Sequence, residues 1–127
     1  MVSEILGIVV VKGKQKRGLS GKHITGRFFS SVKYKAKLRN INFDITLAYL
    51  DGLWILQDGK CAYTGTALQM GRKPTASLDR IDSSKGYIPG NVQFVCIEVN
   101  MMKWALSENR FFELIKKIHD ERGLSIT

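Results

Sequence analysis

Apolar positions 28, 32 and 36 recur at helical spacing with lysines around them, which predicts a helix over residues 28–39. Residues 40–44 break that pattern. Thr46 then suits a helix N-cap, and the helix it starts runs to about residue 57, with Leu47, Leu50, Leu53 and Trp54 on its inner face. Asp58-Gly59 supplies turn chemistry at its end. A knuckle or hairpin is expected over 61–70 and an exposed loop over 71–75. The runs 77–81 and 91–96 read as strands enclosing a loop at 82–90, and a helix follows over 97–105. Ser107 caps a last helix whose Phe111, Leu114, Ile115 and Ile118 form one apolar stripe, and Gly123 stops it. The N-terminal apolar run 5–11 reads as a short strand or extended arm. Residues 12–26 read as a loop, punctuated by Gly13, Gly18, Gly21 and Gly26. The pattern is that of an α+β protein. Trp54, Phe111 and Phe112 are expected in the core. Trp104 and Tyr34 are read as packing residues too, although their basic neighbours would also suit a nucleic-acid surface.

At 127 residues the chain is of single-domain size, and with 44% hydrophobic and 24% charged residues it has the composition of a globular protein. No stretch nears the roughly 20 apolar residues of a membrane span, and the 5–11 run lacks the basic flank of a signal peptide. Neither a membrane partner nor export is expected. Two cysteines, Cys61 and Cys96, fit a reducing cytoplasm better than a disulfide scaffold.

Charge adds more. Residues 1–42 carry ten basic side chains and one acid, Glu4, so the whole net charge of +9 lies there, while residues 43–127 balance ten of each sign. A one-sided basic segment suits a polyanion, because each neutralised phosphate releases counterions. A solubilising tail and an acidic membrane surface are the competing readings. The basic residues in question are Lys12, Lys14, Lys16, Arg17, Lys22, Arg27, Lys33, Lys35, Lys37 and Arg39.

The chemistry concentrates in Ser77-Leu-Asp-Arg-Ile-Asp82, Gly86-Tyr87, Gly90-Asn91-Val92 and Cys96-x-x-x-Asn100-x-x-Lys103. Two short strands around a loop, followed by a helix, would bring Asn100 back toward Asp79. One carboxylate and one amide suit a hard, largely hydrated divalent ion. Taken on spacing alone, a lone Asp–Asn pair is more often structural. Asn91 opens the second strand, where its side chain can tie down the loop.

These residues resemble the HNH endonucleases of the ββα-metal (His-Me finger) superfamily, in particular a group of short phage and bacterial proteins. The resemblance runs from about residue 28 to 117. It takes in Asn42-Phe-Asp-Ile-Thr46, the knuckle Cys61-Ala-Tyr-Thr-Gly65, Lys85-Gly-Tyr87 and the motifs just quoted. It implies a basic arm over 1–26 and one HNH-like domain over 27–127, with a ββα core at about 76–106. It further implies metal-dependent DNA cleavage, with Asp79 as the metal-binding acid, Asn91 as the central Asn and Asn100 as the third, metal-binding position. The ion would be Mg²⁺ or Mn²⁺ and the partner double-stranded DNA, in the cytoplasm of a bacterial or phage-infected cell. Two copies would be the simplest means of cutting both strands.

The sequence departs from the family in two places. Most relatives carry the general-base His directly after the metal acid, and here that residue is Arg80, whose guanidinium stays protonated near neutral pH. Arg80 would instead grip phosphate, with Lys103 neutralising charge beside it, and the proton acceptor would be Asp82, Tyr63, Tyr87, His23, His119 or solvent. Many relatives also fasten the knuckle with zinc on two Cys-x-x-Cys pairs. Here the second member of each pair is Thr64 or Val99, so no structural zinc is expected. Packing through Val92, Phe94, Val99 and Trp54 would replace it, and Cys61 and Cys96 would lie together as buried thiols. The alternative reading is a catalytically impaired HNH-fold protein that only binds DNA.

Overall fold

The computed structural model describes residues 21–124. The basic residues Lys12, Lys14, Lys16 and Arg17, and the 5–11 segment, lie outside the described residues. Helix α1 (Gly26–Leu38) starts at Thr25, whose hydroxyl accepts from the Phe28 N–H at 3.0 Å, and Lys35 and Lys37 sit in its last turn, where the helix dipole favours cations. Its Ala36 is buried, and Phe28 and Phe29 pack against the core. Helix α2 (Leu47–Leu56) starts at Thr46 in the same way. Leu47, Tyr49, Leu50 and Leu53 of α2 are buried, and Trp54 meets Phe94 edge-on at 5.1 Å.

Strands β1 (Ala76–Arg80) and β2 (Val92–Cys96) form an antiparallel pair with Asp79 opposite Gln93 and Leu78 opposite Phe94. Two strands alone are marginal in water, so helices and side chains complete this one. The Gln57 amide, just past α2, pairs with the backbone of Phe94 through both its oxygen (2.8 Å) and its nitrogen (2.9 Å), imitating a third strand. The knuckle adds an Ala62 N–H to the Phe94 carbonyl at 3.0 Å. Phe94 is wholly buried there, and a side chain of that size contributes about 1.5–3 kcal/mol.

Helix α3 (Ile97–Lys103) leaves β2 directly, and α4 (Glu108–Arg122) follows a short turn. α3 therefore ends two residues before the expected boundary at 105. Ser107 caps α4, and Gly123 ends it in the left-handed conformation (φ 60°) that glycine adopts without a steric penalty. The expected apolar stripe of α4 is only partly used. Phe111 is buried, whereas Phe112, Ile115 and Ile118 are largely exposed, because α4 meets the domain through its first turns, at Tyr63. Tyr34 and Trp104, expected to pack, are exposed as well. Among the described residues no helix is long and apolar enough to cross a membrane.

Asp51 on α2 fastens the start of the described chain. Its carboxylate accepts the backbone N–H groups of Lys22, His23 and Ile24 at 3.0, 3.0 and 2.9 Å. The fit leaves no room for a side chain at Gly21, where a Cβ would stand 2.0 Å from Asp51 Oδ2.

Candidate active site

The loop between β1 and β2 is organised by Asn91. Its Oδ1 accepts from the Asp82 N–H at 2.9 Å, and its Nδ2 donates to the carbonyls of Asp82 (3.1 Å) and Gly86 (2.9 Å). These bonds hold the loop ends together and set the end of β1, where Asp79 and Arg80 stand. The Arg80 guanidinium donates to the Ser83 carbonyl at 2.8 Å and the Lys85 carbonyl at 3.0 Å, and lies over the Tyr87 ring at 5.5 Å. Arg80 is thus held by the loop on one side of the strand end.

Side chains alternate along β1, so Ser77 and Asp79 share one face, and α3 crosses it. Asn100 donates to Ser77 Oγ at 2.7 Å, and one helical turn on, Lys103 reaches Asp79. Lys103 was expected to neutralise phosphate beside Arg80. It is instead 1% exposed, with its ammonium at 3.0 Å from both Asp79 oxygens and 2.8 Å from the Arg80 carbonyl. Gln93, opposite Asp79 in the sheet, donates to Asp79 Oδ2 at 3.0 Å. Tyr63 stands 3.5 Å from the same oxygen and donates to Glu108 Oε2 at 2.6 Å. A polar network therefore ties the knuckle, β1, β2, α3 and the start of α4 to one carboxylate. Every member has partners, as a buried polar cluster requires.

Asp79, Arg80 and Asn100 line a single cleft of about 250 Å³, which Arg39, Tyr87 and Trp104 also border. A second groove of about 440 Å³ shares Arg39, Tyr87 and Asn100 with it and carries Arg27, Lys35 and Arg72 along its sides. The two depressions form one cation-lined track. Of the predicted basic residues, Arg27, Lys35 and Arg39 stand on it, while Lys22, Lys33 and Lys37 are exposed but outside its lining. Arg72, which sequence reasoning passed over as a loop residue, belongs to it.

None of the side chains expected as proton acceptors stands free in the cleft. Asp82 is exposed and held below the usual carboxylate range, first by the Ser84 hydroxyl (2.6 Å) and then by the Ser84 N–H (2.9 Å), so it is an ionised turn cap. The Tyr63 phenol is pushed well above its ordinary range by burial, then by its hydrogen bond to Glu108 and the charges of Asp79 and Glu108, so it keeps its proton. His23 and His119 are not in the cleft lining, and His119 pairs with its neighbour Asp120. Tyr87 borders the cleft but is buried under Arg80.

A divalent ion here would find one carboxylate, Asp79, and one amide carbonyl, since the Asn100 nitrogen is the atom committed to Ser77. Those are oxygen donors of the type Mg²⁺ takes, but an ion would have to displace the buried Lys103 ammonium from both Asp79 oxygens, each 3.0 Å away. Among the described residues no group of three or more His, Cys, Asp or Glu stands together, so water and phosphate would complete the coordination. The Lys103 ammonium is the competing cation.

In the knuckle, the Cys61 and Cys96 sulfurs lie 3.9 Å apart as free thiols, Cys61 buried and Cys96 half-buried. Burial pushes the Cys61 thiol up, but the Thr64 side chain and the backbone N–H groups of Cys96, Thr64 and Tyr63 outweigh it and bring the value down to about 7.

The turn after α3 is unusual. The Leu106 N–H bonds the Lys103 carbonyl at 2.9 Å, and between them Trp104 adopts φ 48°, ψ −123°. That is the first central position of a type II′ turn, which glycine normally takes. A tryptophan there costs about 1–3 kcal/mol of backbone strain, and Trp104 nonetheless stands 82% exposed.

No protein-family model matches the chain, and no curated protein does. Among solved structures it is similar to the rare-cutting HNH restriction endonuclease PacI, described for its mechanism of DNA perturbation. The identity is 19%, the TM-score 0.56, and the match covers 90% of this chain and 95% of that one. At that identity the likeness is one of architecture: two antiparallel strands, the helix that crosses them and the helices around them make this an HNH-like fold.

Proposed function

We propose that the protein is an HNH-type endonuclease that binds double-stranded DNA along its cationic track and hydrolyses a phosphodiester in the Asp79–Asn100 cleft. The observation that carries this reading is the adjacency of the two: the groove bearing Arg27, Lys35, Arg39 and Arg72 shares Arg39, Leu78, Tyr87 and Asn100 with the cleft that holds Asp79 and Arg80. Phosphate contacts from such a track position the duplex and leave sequence to other contacts.

Asp79 and Asn100 would hold one Mg²⁺ or Mn²⁺ ion, which supplies Lewis-acid polarisation of the phosphate and stabilises the leaving oxygen. Arg39, at the junction of groove and cleft, neutralises phosphate charge. Arg80, fixed by two loop carbonyls, keeps its charge beside the reacting group. Asn91 keeps the loop, and so Arg80, in place. With none of the candidate acceptors among the described residues free in the cleft, solvent takes the water's proton. A positioned base contributes about 10²–10⁴-fold, so turnover is expected to be slow by that factor.

One observation favours a second reading, a DNA-binding protein that does not cleave: the Lys103 ammonium already neutralises Asp79. Supercoiled plasmid incubated with the protein in Mg²⁺, Mn²⁺ or EDTA separates the two. The nuclease reading expects metal-dependent nicking to 5′-phosphate and 3′-hydroxyl ends, lost in Asp79→Ala and faster in Arg80→His. Gel retardation without nicking in either metal supports the second reading. Equal nicking by Asp79→Ala removes the assignment of the site.

A further inference from the structure

We infer that Trp104 is a stacking platform for a nucleobase displaced from the duplex beside the candidate active site, an inference that rests on the DNA-binding reading above. Three independent features converge on it. Trp104 borders the same cleft as Asp79, Arg80 and Asn100. Its side chain is 82% exposed, and Met101, which also borders the cleft, is 73% exposed, so two large apolar side chains there are presented to solvent. Its backbone occupies a glycine conformation, with φ 48°. A sequence under no functional demand would place Gly there and bury the indole elsewhere. Unfavourable backbone conformations persist where the surroundings impose them, and they concentrate at binding sites.

The surroundings here do impose it. Lys103, the residue before, is locked to Asp79 and to the Arg80 carbonyl, and the Ala105 carbonyl after it accepts from Ser83 Oγ at 3.4 Å. The turn is therefore clamped to β1 and to the β1–β2 loop, and the indole projects as a consequence. The chemistry of the cleft selects the occupant. A protein partner would meet the cations Arg39 and Arg80 beside the aromatic surface. A nucleotide offers both halves of the complement, a π-face for the indole and a phosphate for the guanidinium groups. Every base has such a face, so the contact tolerates sequence but requires an unpaired or unstacked base.

The chain has two tryptophans, and Trp54 packs against Phe94, so Trp54→Phe leaves Trp104 as the single reporter. The probes are a matched duplex and the same duplex with one bulged base, with binding followed by anisotropy of a labelled strand. The expected result is quenching of Trp104 emission, stronger with the bulged duplex. Trp104→Ala should lose about 5- to 150-fold in affinity for the bulged duplex and little for the matched one. Trp104→Gly should lose the same affinity while its melting temperature rises above the parent's, which excludes misfolding as the cause. If DNA binds with Trp104 emission unchanged, or if Trp104→Ala binds both duplexes as the parent does, the stacking role is overturned and DNA binding stands. If neither duplex binds to the parent, both inferences fall.

Discussion

Replacing Lys103 by Met tests whether the polar network around Asp79 behaves as one unit. The substitution keeps an unbranched apolar stem of similar reach in a site 1% exposed, so packing is nearly conserved while the ammonium is removed. It abolishes the contacts at 3.0 Å to both Asp79 oxygens and at 2.8 Å to the Arg80 carbonyl. Asp79, itself 5% exposed, keeps the Gln93 amide at 3.0 Å. Breaking a buried pair from one side costs about 3–5 kcal/mol. The surviving bond to a charged group, of the kind that contributes about 1.5–3 kcal/mol, favours the lower end of that range. The expected loss is about 3 kcal/mol, read as a lowered midpoint in urea with an unchanged slope. Asp79→Asn alone should also destabilise, because it leaves the ammonium buried without its counter-charge. The double variant should be more stable than the sum of the singles predicts by about 2 kcal/mol. Losses that add to within about 0.5 kcal/mol, or a Lys103→Met protein as stable as the parent, would refute the description of these two charges as a coupled buried pair.

Asn91→Ala should cost about 2–3 kcal/mol, since it removes three hydrogen bonds at the base of the loop, and amide hydrogen exchange should quicken selectively between residues 81 and 91. The Cys61 thiol has its folded value lowered from 9.0 to about 7. The unfolded chain therefore binds more protons between those values, and stability should rise with pH through that window and be lost as pH falls through 7. Against Cys61→Ala, the parent should gain stability as pH rises from roughly 6 to 9.5 in urea titrations, and a flat difference across that range would refute the lowered thiol. Arg39→Ala should weaken DNA binding evenly across sequences and lower the slope of log affinity against log salt by about 1.

The elements were legible because their signals are local. Thr46 and Ser107 cap the helices they were expected to cap, and Asp58-Gly59 turns as read, with φ 55° and 63°. β1 lies one residue earlier than the expected 77–81, and β2 starts one residue later than expected but ends at Cys96 as read. What periodicity could not convey is how much of an apolar face finds a partner. The α4 stripe has good helical spacing, but only its first turns reach the Tyr63 side of the domain, so Phe111 is buried and Ile118 is not. Gln57 and Asp51 were passed over for the complementary reason. Each satisfies backbone groups 37 or about 28 residues away, and nothing adjacent in the chain marks such a partnership.

Lys103 is the instructive case, because its partner was within reach of sequence reasoning. A strand repeats its faces every two residues, so Ser77 and Asp79 lie about 7 Å apart on one side. A helix returns to the same side after three, so Asn100 and Lys103 lie about 4.5 Å apart along its axis. Once Asn100 is set over Ser77, the longer lysine stem spans the difference and arrives at Asp79. The expectation that Lys103 neutralises phosphate gives Asp79 to a metal ion instead, and lysines are almost never fully buried unless paired. The same contact also explains Trp104. Lys103 opens the turn in which Trp104 holds its positive φ, so the pair that neutralises the carboxylate also anchors the strained backbone. Loosening position 103 should therefore release the indole as well as the charge: in Lys103→Met, with Trp54 replaced by Phe, Trp104 anisotropy should fall at temperatures where the rest of the protein is still folded.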